Sequence, residues 1–426
     1  MSRPADPRIA ELERRADAAA GAGRGDEALR AWEQLLGLQP QHARAAFHVG
    51  SQALKRGDLV AARELLERAA ALAPDEPATH FHLSVAKRLV GDPGGELAAL
   101  EQALAADPYF FPALLAKAVA VERQGKQRRA ARLYQDALTI APPADRRSPE
   151  VQAALEQARA AVAANQQALD EFLAARLDPI KRSHAGARLD RFAECQDLMV
   201  GRKRAYQPQP TLLNFPRLPP IQYYDEAEFP WLATLEAETE AIRAELVALI
   251  EADSPGFTPY VATAPGAPVN QWAELNHSRR WSAYFFWNDG VPVAESRARC
   301  PHTAAVLDRM PLPRVPGRTP SAFFSTLAPR AKIPPHAGVT NTRLIVHLPL
   351  IVPPGCGFRV GNAVREWVPG RAWVFDDTIE HEAWNDSDHL RALLIFDVWN
   401  PALSAAERDL VAAMFGGVDA YYGSEG

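Results

Sequence analysis

Two patterns of apolar and polar positions divide this chain. Over about residues 8–142 the pattern is clocked rather than merely helical. Prolines stand at Pro40, Pro74, Pro108 and Pro142, and glycines at Gly23, Gly57, Gly91 and Gly125, each 34 residues after the last. Small or apolar residues keep the same time at Leu35, Ala69, Ala103 and Ala137. They do so again at Ala28, Ala62 and Ala130, where Glu96 breaks the series. A glycine that ends a first helix, alanines that let two helices approach, and a proline that stops the second predict four helix–turn–helix units. The amphipathic stretch from Glu150 to about Leu173 predicts a helix that covers the last unit, since each unit buries its apolar face only against a neighbour.

Near Asp178 and Pro179 the composition changes. Alanine-rich periodicity yields to Pro208, Pro210, Pro216, Pro219 and Pro220, followed by Tyr223 and Tyr224, which predicts an extended connection. Leu232, Leu235, Ile242, Leu246 and Ile250 then predict one helix from about Trp231 to Ala252, and a shorter one is expected at His302–Met310. After Pro320 the pattern becomes short β-type runs at Ser321–Leu327, Arg343–Leu350, Gly357–Val360, Arg371–Phe375 and Arg391–Val398. Turn residues separate them, which favours an antiparallel sandwich or barrel. The 34-residue period is that of the tetratricopeptide repeat. The third copy is unusual in placing His80 and Lys87 at positions that are normally large and apolar. The expected domains are residues 8–175, four repeats plus a capping helix, and residues 176–426, with a β core at about 321–400. The repeats serve either as a spacer or dimerisation arm or, more in keeping with solenoid surfaces, as a groove for a peptide or protein client.

Bulk composition adds exclusions. A chain of 426 residues exceeds one ordinary core. A net charge of −5 argues against a nucleic-acid partner, and the basic cluster Arg202–Arg204 reads as a solvated loop. Cys195, Cys300 and Cys356 are widely spaced, which suits neither a disulfide framework nor a zinc site and points to a reducing, cytoplasmic compartment. The polar N-terminus, Met1 to Pro7, lacks signal-peptide character, and no window is apolar enough to span a membrane.

The candidate chemistry lies in the β-rich part. His336 and His381, 45 residues apart, each adjoin a strand-like run, and Arg391 follows ten residues after His381. Imidazoles from two strands can hold a first-row metal, and a guanidinium is a planar, permanently charged partner for a carboxylate. A facial triad would carry a carboxylate two residues after the first histidine; here that position is Gly338. Read alone, such a pair is more often structural than metal-binding.

The surrounding segments add to that reading. Ser325 to Pro329, Pro335 to Gly338, Thr340 to Leu344, Val346 to Pro349, Arg359 to Gly361, Trp367, Phe375 to Asp377, Glu380 to Glu382, Trp384 with Asn385, and Asp397 to Pro401 follow in order. Together they resemble the catalytic domain of the aspartyl/asparaginyl β-hydroxylases, with a looser likeness back to about residue 186. That family has glycine at the position of Gly338. The resemblance implies a double-stranded β-helix, a jelly-roll or cupin-like barrel with flanking helices. It implies Fe(II) on His336 and His381, with 2-oxoglutarate as co-substrate and O2 as oxidant. Arg391 would pair with the distal carboxylate of 2-oxoglutarate, while Ser325 and His347 match positions that also contact it. For these two, a backbone-bonded hydroxyl and a satisfied core histidine are the rival readings. Family members often carry an arginine two residues before the His347 position. This chain has Ile345 there, and Arg343 two residues further back on the same strand face could partly replace that charge.

The activity so implied is hydroxylation of an unactivated carbon, foremost the β-carbon of an Asp/Asn-type residue in a client docked by the repeats. The same chemistry on a free amino acid, a peptide intermediate or a lipid acyl chain, and a non-catalytic scaffold, are the alternatives. Among Asp376, Asp377, Glu380 and Glu382, one could complete the iron shell, although carboxylates beside a ligand histidine usually orient it. Asn341 reads as support or as site lining. Trp272, Asn276 and Trp281 read as core or as the mouth of the site.

Overall fold

The computed structural model describes residues 7–252, 254–315 and 317–423. The polar segment before Pro7 lies outside them. The chain divides into two units, Met1–Arg202 and Lys203–Gly426.

The first unit is helical. Four antiparallel pairs follow one another: α1 (Pro7–Gly21) with α2 (Gly25–Leu38), α3 (Ala43–Arg56) with α4 (Leu59–Leu72), α5 (Pro77–Leu89) with α6 (Pro93–Ala106), and α7 (Phe111–Arg123) with α8 (Gln127–Thr139). Gly23, Gly57, Gly91 and Gly125 link the helices within each pair at φ of 72°, 80°, 78° and 75°. Asp58 and Asp92 then cap the next helix, accepting from Ala61 N at 3.1 Å and Gly95 N at 2.8 Å. Ala45, Ala62, Ala69, Ala103, Ala130 and Ala137 are buried, so the periodic alanines are the contacts between helices.

Polar pairing explains the residues that break the pattern. Glu96 is buried and accepts from Arg123 Nη2 at 2.5 Å. His80 Nε2 is 2.8 Å from Pro74 O, and Lys87 is paired with Glu67.

The capping helix is longer than expected. Helix α9 runs over Pro149–Ser183 and contains Pro179, so the expected boundary at 175/176 falls inside it. Helix α10 (Asp190–Met199) folds back onto its second half. Lys181 donates to Gln196, Gln196 donates to Asp170 at 2.9 Å, and Arg202 bridges Asp170 and Asp197. These ties hold residues to Arg202 with the first unit. They are polar and specific, so a shift in composition does not reveal them.

The second unit contains two antiparallel sheets. The strands are β1 (Thr258–Pro259), β2 (Trp281–Asn288), β3 (Val291–Pro292), β4 (Ala322–Leu327), β5 (Ala331–His336), β6 (Arg343–Ile351), β7 (Cys356–Val360), β8 (Ala363–Arg365), β9 (Trp373–Phe375), β10 (His381–Asn385) and β11 (Arg391–Trp399). The larger sheet has the order β1-β2-β4-β11-β6-β9 with β3 beside β2; the smaller is β5-β10-β7-β8. The five expected runs are β4, β6, β7, β9 and β11, with β9 starting two residues late. Strands β1, β2, β3, β5, β8 and β10 were not expected. Pro334 and Pro335 mask β5, and the short polar–apolar alternation of β10 is a weak signal.

Alternation on β11 separates two cores. Ala392, Leu394, Phe396 and Val398 pack toward the helices; Leu393 and Ile395 pack between the sheets with Ile333, Phe358 and Val360. The helices over the larger sheet include α11 (Leu232–Ala237), α12 (Thr239–Glu251), α13 (Ala294–Arg299) and α14 (Pro301–Arg309), and α15 (Ala405–Gly423) follows the last strand. The single helix expected from Trp231 to Ala252 is thus broken at Glu238. There the Thr239 hydroxyl donates to Glu236 O at 2.6 Å, and the Glu238 carboxylate is drawn to Arg309 (2.7 Å) and His302 (2.9 Å). No helix among the described residues is long and apolar enough to cross a membrane.

Because Gly57 holds a left-handed conformation, Gly57→Ala should cost about 1 kcal/mol. A lowered thermal midpoint followed by circular dichroism, with helix content unchanged at 20 °C (roughly room temperature, where the solenoid stays folded), is the expected result.

Candidate active site

The two histidines face each other across a strand pair. In the β5–β10 register His336 is the partner of His381, and their ring centroids are 4.0 Å apart. Each ring is turned by a carbonyl two residues earlier: His336 Nδ1 is 2.8 Å from Pro334 O, and His381 Nδ1 is 3.0 Å from Ile379 O. A carbonyl only accepts, so both Nδ1 atoms carry the proton and both Nε2 atoms keep a lone pair. Burial and the neighbouring imidazole push His336 down to about 3, and burial pushes His381 down to about 4, so both rings are neutral at physiological pH. Trp272 packs edge-on against His336 at 4.9 Å.

Gly338 leaves room for a carboxylate from another strand connection. A Cβ built on it would lie 2.1 Å from Asp377 Oδ2 and 2.2 Å from Asp377 Cγ. Its amide also donates to Asp377 O at 2.6 Å. Asp377 therefore fills the space that a side chain at position 338 would need. Among the described residues, however, no third His, Cys, Asp or Glu gathers with the histidines into a three-ligand cluster. The other three acids are engaged elsewhere. Asp376 accepts from Thr378 N at 2.9 Å and Thr378 Oγ1 at 2.6 Å, while Glu380 and Glu382 both hold Arg359.

Arg391 lies within the same cavity, of about 760 Å3, which is also lined by His336, His347, His381, Ser325 and Arg343. It is 1% exposed, and among the described residues no carboxylate pairs with it. Its Nη1 donates to Ser325 Oγ at 3.3 Å, its guanidinium stacks 4.8 Å from the Trp367 ring, and its Nε has no hydrogen-bond partner among the described residues. Burial pulls it down to about 10. Ser325 is held from its other side by Trp281 Nε1 at 3.2 Å, so its hydroxyl is not bonded to the backbone of its own strand end. His347 is buried, its Nδ1 is unpartnered, and burial with the nearby Arg391 charge holds it well below the usual imidazole range.

Arg343 stands apart from Arg391. It lies 3.6 Å from Asp377 and 3.8 Å from Asp397, and these acids hold its charge. Asp397, to which the sequence assigned no role, is 1% exposed and pushed up to about 7 by burial. A lone acid inside an otherwise apolar strand was the available signal. Asn341 proves to be a tie for the connecting arm, accepting from Phe215 N at 2.6 Å and donating to Phe215 O at 2.9 Å. Asn276 caps a turn through Thr263 N at 2.9 Å, whereas Trp272 and Trp281 do line the cavity.

The Gly338–Asp377 fit predicts that Gly338→Ala destabilises the protein by about 2 kcal/mol through overpacking. Asp377→Ala in the same chain should recover most of that loss. Urea denaturation of the two variants checks this, and equal stability of the double and single variants would contradict it.

Residues 236–401 match the aspartyl/asparaginyl beta-hydroxylase family, and residues 13–77 match the tetratricopeptide repeat. An ornithine lipid ester-linked acyl 2-hydroxylase of Rhizobium tropici is 36% identical over 44% of this chain and 63% of its own length. The aspartyl/asparaginyl beta-hydroxylase of Homo sapiens is 32% identical over 35% of this chain and 20% of its own. The aspartate beta-hydroxylase domain-containing protein 2 of Rattus norvegicus is 31% identical over 50% and 62%. The chain thus spans between a fifth and somewhat under two thirds of these relatives. Residues 236–401 thus match the aspartyl/asparaginyl β-hydroxylase domain, behind a stretch that matches the tetratricopeptide repeat.

Proposed function

We propose that this protein is an iron(II)- and 2-oxoglutarate-dependent dioxygenase that hydroxylates an unactivated carbon. One observation carries the reading: a single cavity holds two imidazoles whose Nδ1 protons are committed to the backbone and a buried arginine that, among the described residues, pairs with no carboxylate. The donor set suits the groups the family implies. Two neutral Nε2 lone pairs suit a divalent first-row metal, and the unpartnered donors on Arg391 and His347 suit the oxygens of a keto diacid.

On this reading His336 and His381 hold the iron, and Arg391 with Ser325 pairs with the distal carboxylate of 2-oxoglutarate. His347 donates to the same co-substrate. Iron with 2-oxoglutarate supplies the oxidising chemistry, in which dioxygen converts the keto acid to succinate and carbon dioxide and leaves one oxygen atom for a C–H bond. The backbone carbonyls keep both imidazoles in the metal-binding tautomer. Trp272, Trp281, Phe358 and Phe375 line the cavity and keep water from it.

The client is a peptide or protein docked by the repeats. Phe47 with His48 and Phe81 with His82 recur at one repeat spacing as half-buried aromatic–imidazole pairs, and Phe47 also packs against His82 at 5.1 Å. The three cysteines are free, which fits a cytoplasmic setting. An Asp/Asn-type target residue is the reading closest to the family name. Oxidation of an acyl chain, as in the name of the Rhizobium relative, is a second reading, favoured by the apolar lining that Leu212, Val315, Val339, Val411 and Phe415 give the cavity.

His381→Ala should lower client-dependent succinate formation more than 100-fold (roughly the loss expected when a metal ligand goes). Undiminished turnover would refute the iron assignment and leave the scaffold reading. Arg391→Lys should weaken 2-oxoglutarate binding about tenfold, because lysine cannot bind bidentately; calorimetry with the manganese-loaded protein reads this directly.

A further inference from the structure

The cavity is electrically polarised along β11. Arg391, Leu393, Ile395 and Asp397 alternate on the inner face of that strand. Six residues of strand span about 20 Å. One end is a guanidinium that pairs with no acid among the described residues. At the other end Asp377 and Asp397 share one cation, Arg343, which stands 3.6 Å and 3.8 Å away, beyond hydrogen-bond range.

That end is short of donors. Asp397 Oδ1 accepts from Ser321 N at 3.1 Å, but among the described residues Asp397 Oδ2 and Asp377 Oδ1 have no hydrogen-bond partner, although Asp397 is 1% and Asp377 7% exposed. Ile345, the register partner of Asp397 on β6, brings hydrocarbon where a second cation would balance the charge. Asp289 also lines this end, and the other guanidinium there, Arg318, is held by Asp419. Two buried acids, both raised by burial, face one guanidinium beyond hydrogen-bond range and keep unmet acceptors, so this end is incompletely compensated. An ammonium or guanidinium entering the cavity brings both the charge and the donors. An acidic side chain brings neither.

We propose that the Asp377–Asp397 end of the cavity binds a positively charged group of the substrate, so that the client presents a basic aliphatic side chain of the ornithine, lysine or arginine type. The histidine pair lines the same cavity as this end, so the carbon attacked belongs to the side chain or segment that carries the charge. This keeps the oxygenase reading, on which it rests for the position of the reacting carbon, and replaces the Asp/Asn-type target residue with a basic one; the binding step does not require turnover.

The test uses the full chain and the intrinsic fluorescence of Trp272 and Trp281, which line the cavity. Nα-acetyl-lysine amide, its neutral isostere Nα-acetyl-norleucine amide and the anionic Nα-acetyl-glutamate amide are titrated in turn. The lysine derivative is expected to bind at least tenfold more tightly than norleucine (about one well-placed charge pair), with glutamate weakest. In Asp397→Asn the preference should fall to about twofold or less, since the pair is lost, while 2-oxoglutarate affinity, set at the Arg391 end, stays the same. Binding of norleucine or glutamate as tight as that of lysine overturns the proposal, as does an undiminished preference in a folded Asp397→Asn. Should that variant not fold, the wild-type ratio decides alone. Succinate formation is measured separately: a charge preference without it counts against the oxygenase reading only, and succinate formation without a preference counts against this proposal only.

Discussion

The antiparallel pairing of β5 with β10 is the constraint on which the rest of the site depends. It sets His336 opposite His381, and each ring is then oriented by a carbonyl of its own chain two residues back. Nothing long-range is needed to choose the tautomer. The local geometry of two strand ends does so, and burial keeps both rings neutral. The same pairing brings the loop before β10 against the loop after β5, where Asp377 takes the space above Gly338. A glycine that looks like a missing ligand in the sequence is therefore the condition for an acid arriving from elsewhere in the chain.

Charge is distributed in this domain by strand alternation. The inner face of β11 begins with an arginine and ends with an aspartate, and the residues between them are aliphatic. Low local polarity makes each unpaired charge expensive, so the two ends are places where a ligand gains most by binding. The chemistry proposed for the domain follows from this arrangement together with the imidazole pair, and neither element alone would suffice.

The repeats show a different economy. Their backbone is dictated by four glycines and the alanines between helices, and departures from the pattern are absorbed pairwise. Buried Glu96 finds Arg123 from the next repeat, and His80 finds a carbonyl just before its own helix. Such substitutions keep the solenoid, and the Phe–His pairs of α3 and α5 stay half-buried on it.

The linear chain by itself determined the repeat architecture, the β-rich character of the C-terminal part and the identity of the two histidines and Arg391 as candidates. These depend on local periodicity and residue chemistry, which survive in one dimension. Tertiary structure decided what depends on partners distant in sequence. It ended the first unit at Arg202 through ties between α9 and α10, broke the expected helix at Glu238 through Arg309 and His302, and drew β5 out of a proline-containing segment. It also separated the four acids near His381 into one that faces the cavity and three that do not, and it gave Asp397 its place beside Arg343. A carboxylate's role is set by which donors reach it, and in a folded β-domain those donors come from strands that sequence distance does not order.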